Sequence, residues 1–409
     1  MTDNCASAFA PEPYPFDAGR VGDQDAEYAR RRRSCPFGTV RLPSGHDAVL
    51  LTRHEDVAPG LADPRLSRDL TAPGAPRIYL GASLMDDPEV LGNMEGEAHL
   101  RLRRLLSPSF TPRSVERRLP LVEEIASGLI DGLVRRGGPV DIIDTFARRL
   151  PAHVMYRLLG VPEEDSEPFM EWSGAFALSA KVTEEERARK MAEFTAYVTG
   201  LIAARRAAPG RGLVDELIGA RDGTDRLSER ELVSQVIALI AAGTETTTTM
   251  IGRGLLTLLD DGRARWEELR ARPDRLPAAV EELLRHNPLL RVPAMRVAQA
   301  DVTLPSGTVR AGQPVLLAID SALGDEDAYP DAGTPRFDRE EREGFAKQLA
   351  FGAGVHYCLG APLARAILRI GLRRLMERLP GLRLASDPAR LRWTDGEKIN
   401  SLVELPVTW

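Results

Sequence analysis

The sequence predicts a predominantly helical α+β fold, with small β-sheets set around one long central helix. Three observations carry this: a mostly helical apolar pattern from about Arg53 to His286, strand-like runs confined to short stretches, and one uninterrupted apolar helix that ends near Leu259. No repeat, low-complexity block or long Gly/Ser linker divides the chain, so residues 1–409 read as a single domain with 1–36 as an N-terminal extension.

The elements follow in order. Thr39 to Thr52 reads as a hairpin, two apolar runs joined by Pro43-Ser44-Gly45. Ser228 and Glu231 form a capping box ahead of the long helix, which at ~1.5 Å per residue is about 45 Å long. Being apolar nearly all round until Ala242, that helix is expected to be buried. After Pro288 the pattern changes to short strands with turns, and strand-like pieces return from Leu382 to the C-terminus. Between them a helix runs from about Ala361 to Leu379, opened by Pro362 and stopped by Pro380-Gly381.

Composition narrows the class. With 54 Lys+Arg against 60 Asp+Glu the net charge is −6, so the chain lacks the global basic footprint of a nucleic-acid binder. A hydrophobic fraction of 43% is that of a globular protein. Three cysteines, Cys5, Cys35 and Cys358, are too few and too widely spaced for a disulfide framework, which favours a reducing compartment. The first twenty residues have no basic start, apolar core or cleavage site, and no stretch approaches the ~20 apolar residues of a membrane span. A cytoplasmic location is expected.

The most informative stretch runs from Phe351 to Gly360. Glycines at 352 and 354 allow φ > 0 and a tight turn ahead of Cys358. A helix opening just after Gly360 sets its positive dipole end near that sulfur, which favours thiolate over thiol. With no second Cys or His pair to complete a zinc site, such a thiolate suits a single axial bond to a heme iron. A lone cysteine in a glycine turn is more often a small buried hydrophobe. Here six fixed positions coincide, and at frequencies of about one in twenty each, chance gives this on the order of 10⁻⁵ times in such a chain.

The loop resembles the heme-ligating signature of the cytochrome P450 family. The resemblance extends from the hairpin near Thr39 to the closing residues, and it implies the P450 fold, with the long helix over a b-type heme. It also implies Cys358 as the proximal ligand, with Phe351, Gly352 and Gly360 beside the cofactor. Glu282 and Arg285 lie one helical turn apart, a spacing found on many helices. The family places it in a buried structural triad, and Arg336 in Pro335-Arg336-Phe337 matches the third position.

In the long helix, Ala242-Gly243-Thr244-Glu245 and four threonines from Thr246 to Thr249 are poor choices for a helix interior. Gly costs about 1 kcal/mol relative to Ala, and Thr hydroxyls bond back one turn and bend helices. Taken alone this is an irregularity between packed helices. It resembles the family's oxygen-activating kink, which implies that Ala242 lies beside the cofactor, Gly243 makes room for dioxygen, Thr246 hydrogen-bonds the bound peroxide and Glu245 relays protons. Four positions match the family's heme-propionate donors: His99 and Arg103, four residues apart on one helix face, with Arg296 and His356.

Arg101, Arg104, Arg113, Arg117 and Arg118 crowd one region, and Arg365, Arg369 and Arg373 recur every fourth position on the helix after the cysteine. A solvated arginine face is the plain account. The resemblance implies docking of a ferredoxin there, reduced by a ferredoxin reductase drawing on NADPH or NADH. By family position the substrate pocket involves Tyr79, Met85, Trp172, Phe176, Leu239, Val292, Ala294 and Leu402, which suits an apolar, medium-sized organic molecule.

The implied activity is O2-dependent monooxygenation in bacterial secondary-metabolite tailoring. Oxidative C–C or C–N coupling or cyclisation without oxygen insertion uses the same machinery. A non-catalytic heme sensor is the alternative from another class.

Overall fold

Residues 47–51 form a strand whose side chains alternate between two faces, and both faces are covered. The computed structural model describes residues 11–16, 23–71, 75–78, 87–162, 165, 183–222, 224–289, 293–339, 346–394 and 399–409. Asp47–Leu51 pairs antiparallel with Phe37–Arg41, Val49 facing Thr39, as the hairpin reading expects. The turn passes through Gly45 at φ +82°, a conformation that favours glycine. On its other edge Asp47–Leu51 runs parallel to Pro314–Leu317, with Val49 opposite Val315. Ala294–Ala298 and Leu66–Ser67 extend that side, and Glu12–Pro13 lies at the opposite edge of the six-stranded sheet.

Alternation fixes what each face buries. Val49, Leu51, Val315 and Leu317 pack with Val57 and Leu61 of the helix His54–Ala62. Leu50 and Leu316 point the other way, onto Tyr14 and Tyr28, so part of the stretch expected as an N-terminal extension belongs to this core. The reason is aromatic burial: the Tyr14 and Tyr28 hydroxyls bond each other at 3.0 Å.

The chain forms two units. The sheet unit holds the described residues of Met1–Leu100 and Leu290–Cys358; the helical unit holds those of Arg101–Leu289 and Leu359–Trp409. In the helical unit the central helix spans Glu229–Leu259 without a break. Its capping box is present in both directions: Ser228 Oγ accepts from the Glu231 N–H at 3.2 Å, and Glu231 Oε2 accepts from the Ser228 N–H at 2.7 Å. Arg149–Leu159, Glu184–Ala207, Ala264–Ala271, Leu276–His286 and Ala361–Arg378 all pack against it, which accounts for an apolar surface nearly all round. Ala361–Arg378 starts at Gly360 with Pro362 in its first turn. A small antiparallel sheet joins Arg383–Leu384, Pro406–Thr408 and Val140–Asp141.

Cys35 is disulfide-bonded and Cys358 is a free thiol. A cross-link at Cys35 is not the framework that the cysteine number and spacing argue against. No helix among the described residues is long and apolar enough to cross a membrane. Replacing Ser228 by Ala is expected to cost about 1 kcal/mol of stability in urea denaturation, and by Gly only a few tenths, since glycine tolerates the cap backbone.

Candidate active site

Cys358 ends a loop that closes on itself: its N–H donates to the Phe351 carbonyl at 2.9 Å, and the Gly352 N–H donates to the Leu349 carbonyl at 2.7 Å. Gly352 and Gly354 take φ +72° and +70°, where any side chain is strained. Gly354 has a second reason, because a Cβ there would stand 2.7 Å from Ala62 Cα. The Phe351 ring meets Tyr357 edge-on at 6.3 Å. The result is an exposed free thiol. Free cysteine is among the most buried residue types, so a cysteine serving only as packing does not fit here.

Two residues before the sulfur, His356 opens an electropositive cluster in the sheet unit. Its ring lies 4.4 Å from that of His99, which is 1% exposed on the helix Gly96–Leu106. His356 Nε2 and Glu95 Oε1 are 3.2 Å apart. The same Glu95 oxygen accepts the Arg68 N–H. Hydrogen bonds from His356 and the Arg68 backbone outweigh burial and hold the Glu95 carboxyl below its ordinary pKa. Arg296, on the strand Ala294–Ala298 opposite Val315, is 3% exposed and donates to the Met295 carbonyl at 2.9 Å. Burial, reinforced by the neighbouring Arg68 charge, brings its pKa down to about 10. Arg103 shares the helix Gly96–Leu106 with His99.

On the central helix, residues 242–249 remain α-helical. Their irregularity lies in the hydroxyls instead: Thr244 Oγ1 donates to the Ile240 carbonyl at 3.0 Å, Thr246 Oγ1 to Ala242 at 2.6 Å and Thr248 Oγ1 to Thr244 at 2.9 Å. Ala242 is exposed and Glu245 half-buried. A Cβ on Gly243 would meet Met155 Sδ at 3.1 Å, so packing against Met155 also favours a glycine there.

Glu282 and Arg285 form a bidentate pair, both bonds 2.8 Å, with only 4% and 3% of the residues exposed. Arg336 does not have the buried environment expected of the triad's third member. Its side chain is 30% exposed and paired with Asp331 and Asp338, each at 3.3 Å. The buried arginine of that segment is Arg339, which donates to the carbonyls of Pro330, Asp331 and Thr334. Phe337 and Arg339 point inward and Arg336 outward, a parity no local spacing in an irregular turn reveals.

Of the expected substrate residues, Tyr79, Met85, Trp172, Phe176 and Val292 lie outside the described residues. Leu239 is half-buried on the central helix, and Ala294 packs against the sheet core. Leu402 is buried, in a bridge with Trp393, and its Cδ1 would lie 3.9 Å from a Cβ on Gly252. The arginine clusters are also less free than their sequence suggests. Arg101 pairs with Glu231 at 2.5 Å and Asp225 at 2.6 Å, Arg118 with Glu216, Arg365 with Glu281 and Arg373 with Glu123, while Arg104, Arg113, Arg117 and Arg369 have exposed side chains.

A family model described as cytochrome P450 matches residues 169–380. The chain is 40% identical to the mycinamicin IV hydroxylase/epoxidase of Micromonospora griseorubida, covering 98% of this chain and 99% of that protein. The chain belongs to the cytochrome P450 family. It is 39% identical to the nocardicin C N-oxygenase of Nocardia uniformis subsp. tsuyamanensis, over 97% of this chain and 98% of that one. The LnmA cytochrome P450 hydroxylase from the leinamycin pathway of Streptomyces atroolivaceus superimposes with a TM-score of 0.90 at 38% identity, covering 97% of this chain and 100% of that one.

This P450 is a heme-thiolate monooxygenase whose cofactor is heme b, and it works with a substrate, O2 and an electron-transfer partner. The residues present fit that group. An exposed thiol is the ligand type a thiolate heme needs, and the buried, desolvated Arg296 is the kind of cation that heme carboxylates satisfy. Arg68 and Glu95 escaped the sequence reading, since nothing local ties a residue after a two-residue strand to one preceding a helix. Removing Glu282 takes the bidentate carboxylate from the buried Arg285, so Glu282→Ala is expected to cost about 3–5 kcal/mol and to abolish heme incorporation. A normal ferrous-CO spectrum from that variant would refute this.

Proposed function

We propose that this P450 tailors a bacterial secondary metabolite by inserting oxygen from O2 into an apolar, medium-sized organic molecule, with Cys358 as the proximal ligand of heme b. The observation that carries the ligand assignment is the exposed thiol at the end of the double-glycine loop. The substrate class is supported by the activities of relatives: a mycinamicin IV hydroxylase/epoxidase and a nocardicin C N-oxygenase.

Bound heme supplies reductive activation of dioxygen at a thiolate-ligated iron. The protein's part is charge, proton and shape. Arg296, His356, His99 and Arg103 offer N–H groups to the cofactor's two carboxylates, and Phe351, Gly352 and Gly360 border it. Thr246 holds its hydroxyl on the Ala242 carbonyl and keeps oxygen lone pairs available, while Glu245, one residue before it, supplies a titratable group for moving a proton. Glu282 and Arg285 serve as scaffold, not chemistry.

A cytoplasmic ferredoxin is the proposed electron donor. Arg113 and Arg117 lie on and just after the short helix Pro112–Glu116, which packs on the helix that carries Arg369, and all three are exposed. They offer an acidic protein a patch that the chain's own carboxylates have not neutralised.

Two measurements test this reading. Cys358→Ala is expected to abolish the CO-difference spectrum of the purified protein; absorption unchanged by that substitution overturns the ligand assignment. Ferredoxin-supported turnover is expected to fall steeply as salt rises from about 20 mM to about 300 mM, because the Debye length shrinks from roughly 20 Å to under 10 Å. A flat salt response counts against docking on these arginines.

A further inference from the structure

Glu95 is an acid placed where the chemistry of an anion pocket calls for bases. In the sheet unit its carboxylate is bonded to the cluster that holds His356, His99, Arg68 and Arg296, and so competes there with any anionic ligand. A carboxylate that only opposed binding would be a poor choice at that position. Its contacts indicate another role. One oxygen, Oε1, receives both the Arg68 backbone N–H and the Nε2 of His356.

That single atom ties three segments of the unit. Arg68 follows the edge strand Leu66–Ser67, Glu95 precedes the helix Gly96–Leu106, and His356 ends the 3₁₀ turn Gly354–His356 of the cysteine loop. An imidazole donating through Nε2 can swing no further than that bond allows, which leaves Nδ1 to face a ligand, and a carboxylate there is met by the imidazolium form, in which both ring nitrogens donate. Arg68, fixed at its backbone, keeps its guanidinium beside Gly92, where a Cβ would lie 3.6 Å from Nη2. It also stays near enough to Arg296 for the two charges to repel.

We propose that Glu95 is a positioning residue for heme retention, its Oε1 orienting His356 and pinning the Arg68 backbone so that Arg68 joins Arg296 and His356 in receiving the heme carboxylates. This rests on the reading that Cys358 holds heme. The claim concerns an acceptor atom, so a neutral side chain of the same shape should replace the carboxylate.

Hemin release from the ferric holoprotein into excess apomyoglobin, followed spectroscopically, tests it with wild type, Glu95→Ala, Glu95→Gln and Glu95→Asp. Losing a hydrogen bond to a charged group is worth a factor of ten or more, so Glu95→Ala should release hemin about tenfold faster. Glu95→Gln, which keeps an oxygen in place, should stay within about threefold of wild type. Glu95→Asp keeps the charge but withdraws the oxygen by one methylene, so it should release nearly as fast as Ala, and it decides the matter if the Ala variant does not fold. Release at the wild-type rate from Ala or Asp, or release as fast from Gln as from Ala, overturns the role given to Glu95. Wild-type protein that takes up no hemin overturns the Cys358 reading instead.

Discussion

The bond from the Cys358 N–H to the Phe351 carbonyl is the constraint on which the candidate site depends. It closes the loop, so the sulfur can stand exposed without leaving the backbone behind it unsatisfied. The closure works only because Gly352 and Gly354 take left-handed conformations, and because Gly354 has no side chain to collide with Ala62 at the end of the helix His54–Ala62. The six-stranded sheet holds that helix through Val57 and Leu61. A reactive sulfur is thus placed by backbone geometry that a hydrophobic core keeps from relaxing.

Charge around the loop follows a different logic from charge elsewhere. On the helical unit many arginines meet carboxylates: Arg101 with Asp225 and Glu231, Arg365 with Glu281, Arg373 and Arg374 with Glu123. Such partly exposed pairs contribute little each. Near His356 the balance is reversed. Arg296 and Arg68 are desolvated and near each other, with Glu95 as their shared carboxylate. An arrangement of this kind is costly in isolation and stable with an anion, the condition the two carboxylates of heme b satisfy.

The central helix shows how one stretch answers two demands. Its flanks are apolar because neighbouring helices pack on it, while residues 242–249 admit glycine and threonine without ending the helix. Back-bonded hydroxyls satisfy themselves locally, so polar atoms enter the interior of the helical unit at small cost. Gly243 also lets the helix pack against Met155.

Everything that depends on residues a few positions apart was legible in the chain itself. The hairpin at Gly45, the capping box of Ser228 and Glu231, the helix opened by Pro362, the glycine loop before Cys358 and the Glu282–Arg285 pair are all set by short-range sterics and hydrogen bonds. Partner choice across the fold was not legible. That Arg339 rather than Arg336 is buried, that Leu402 belongs to the core, that half of the expected docking arginines are already paired, and that Glu95 joins Arg68 to His356 are decided by which segments tertiary packing brings together. Local spacing constrains the direction of a side chain within a turn; only the assembled core determines what waits there to meet it.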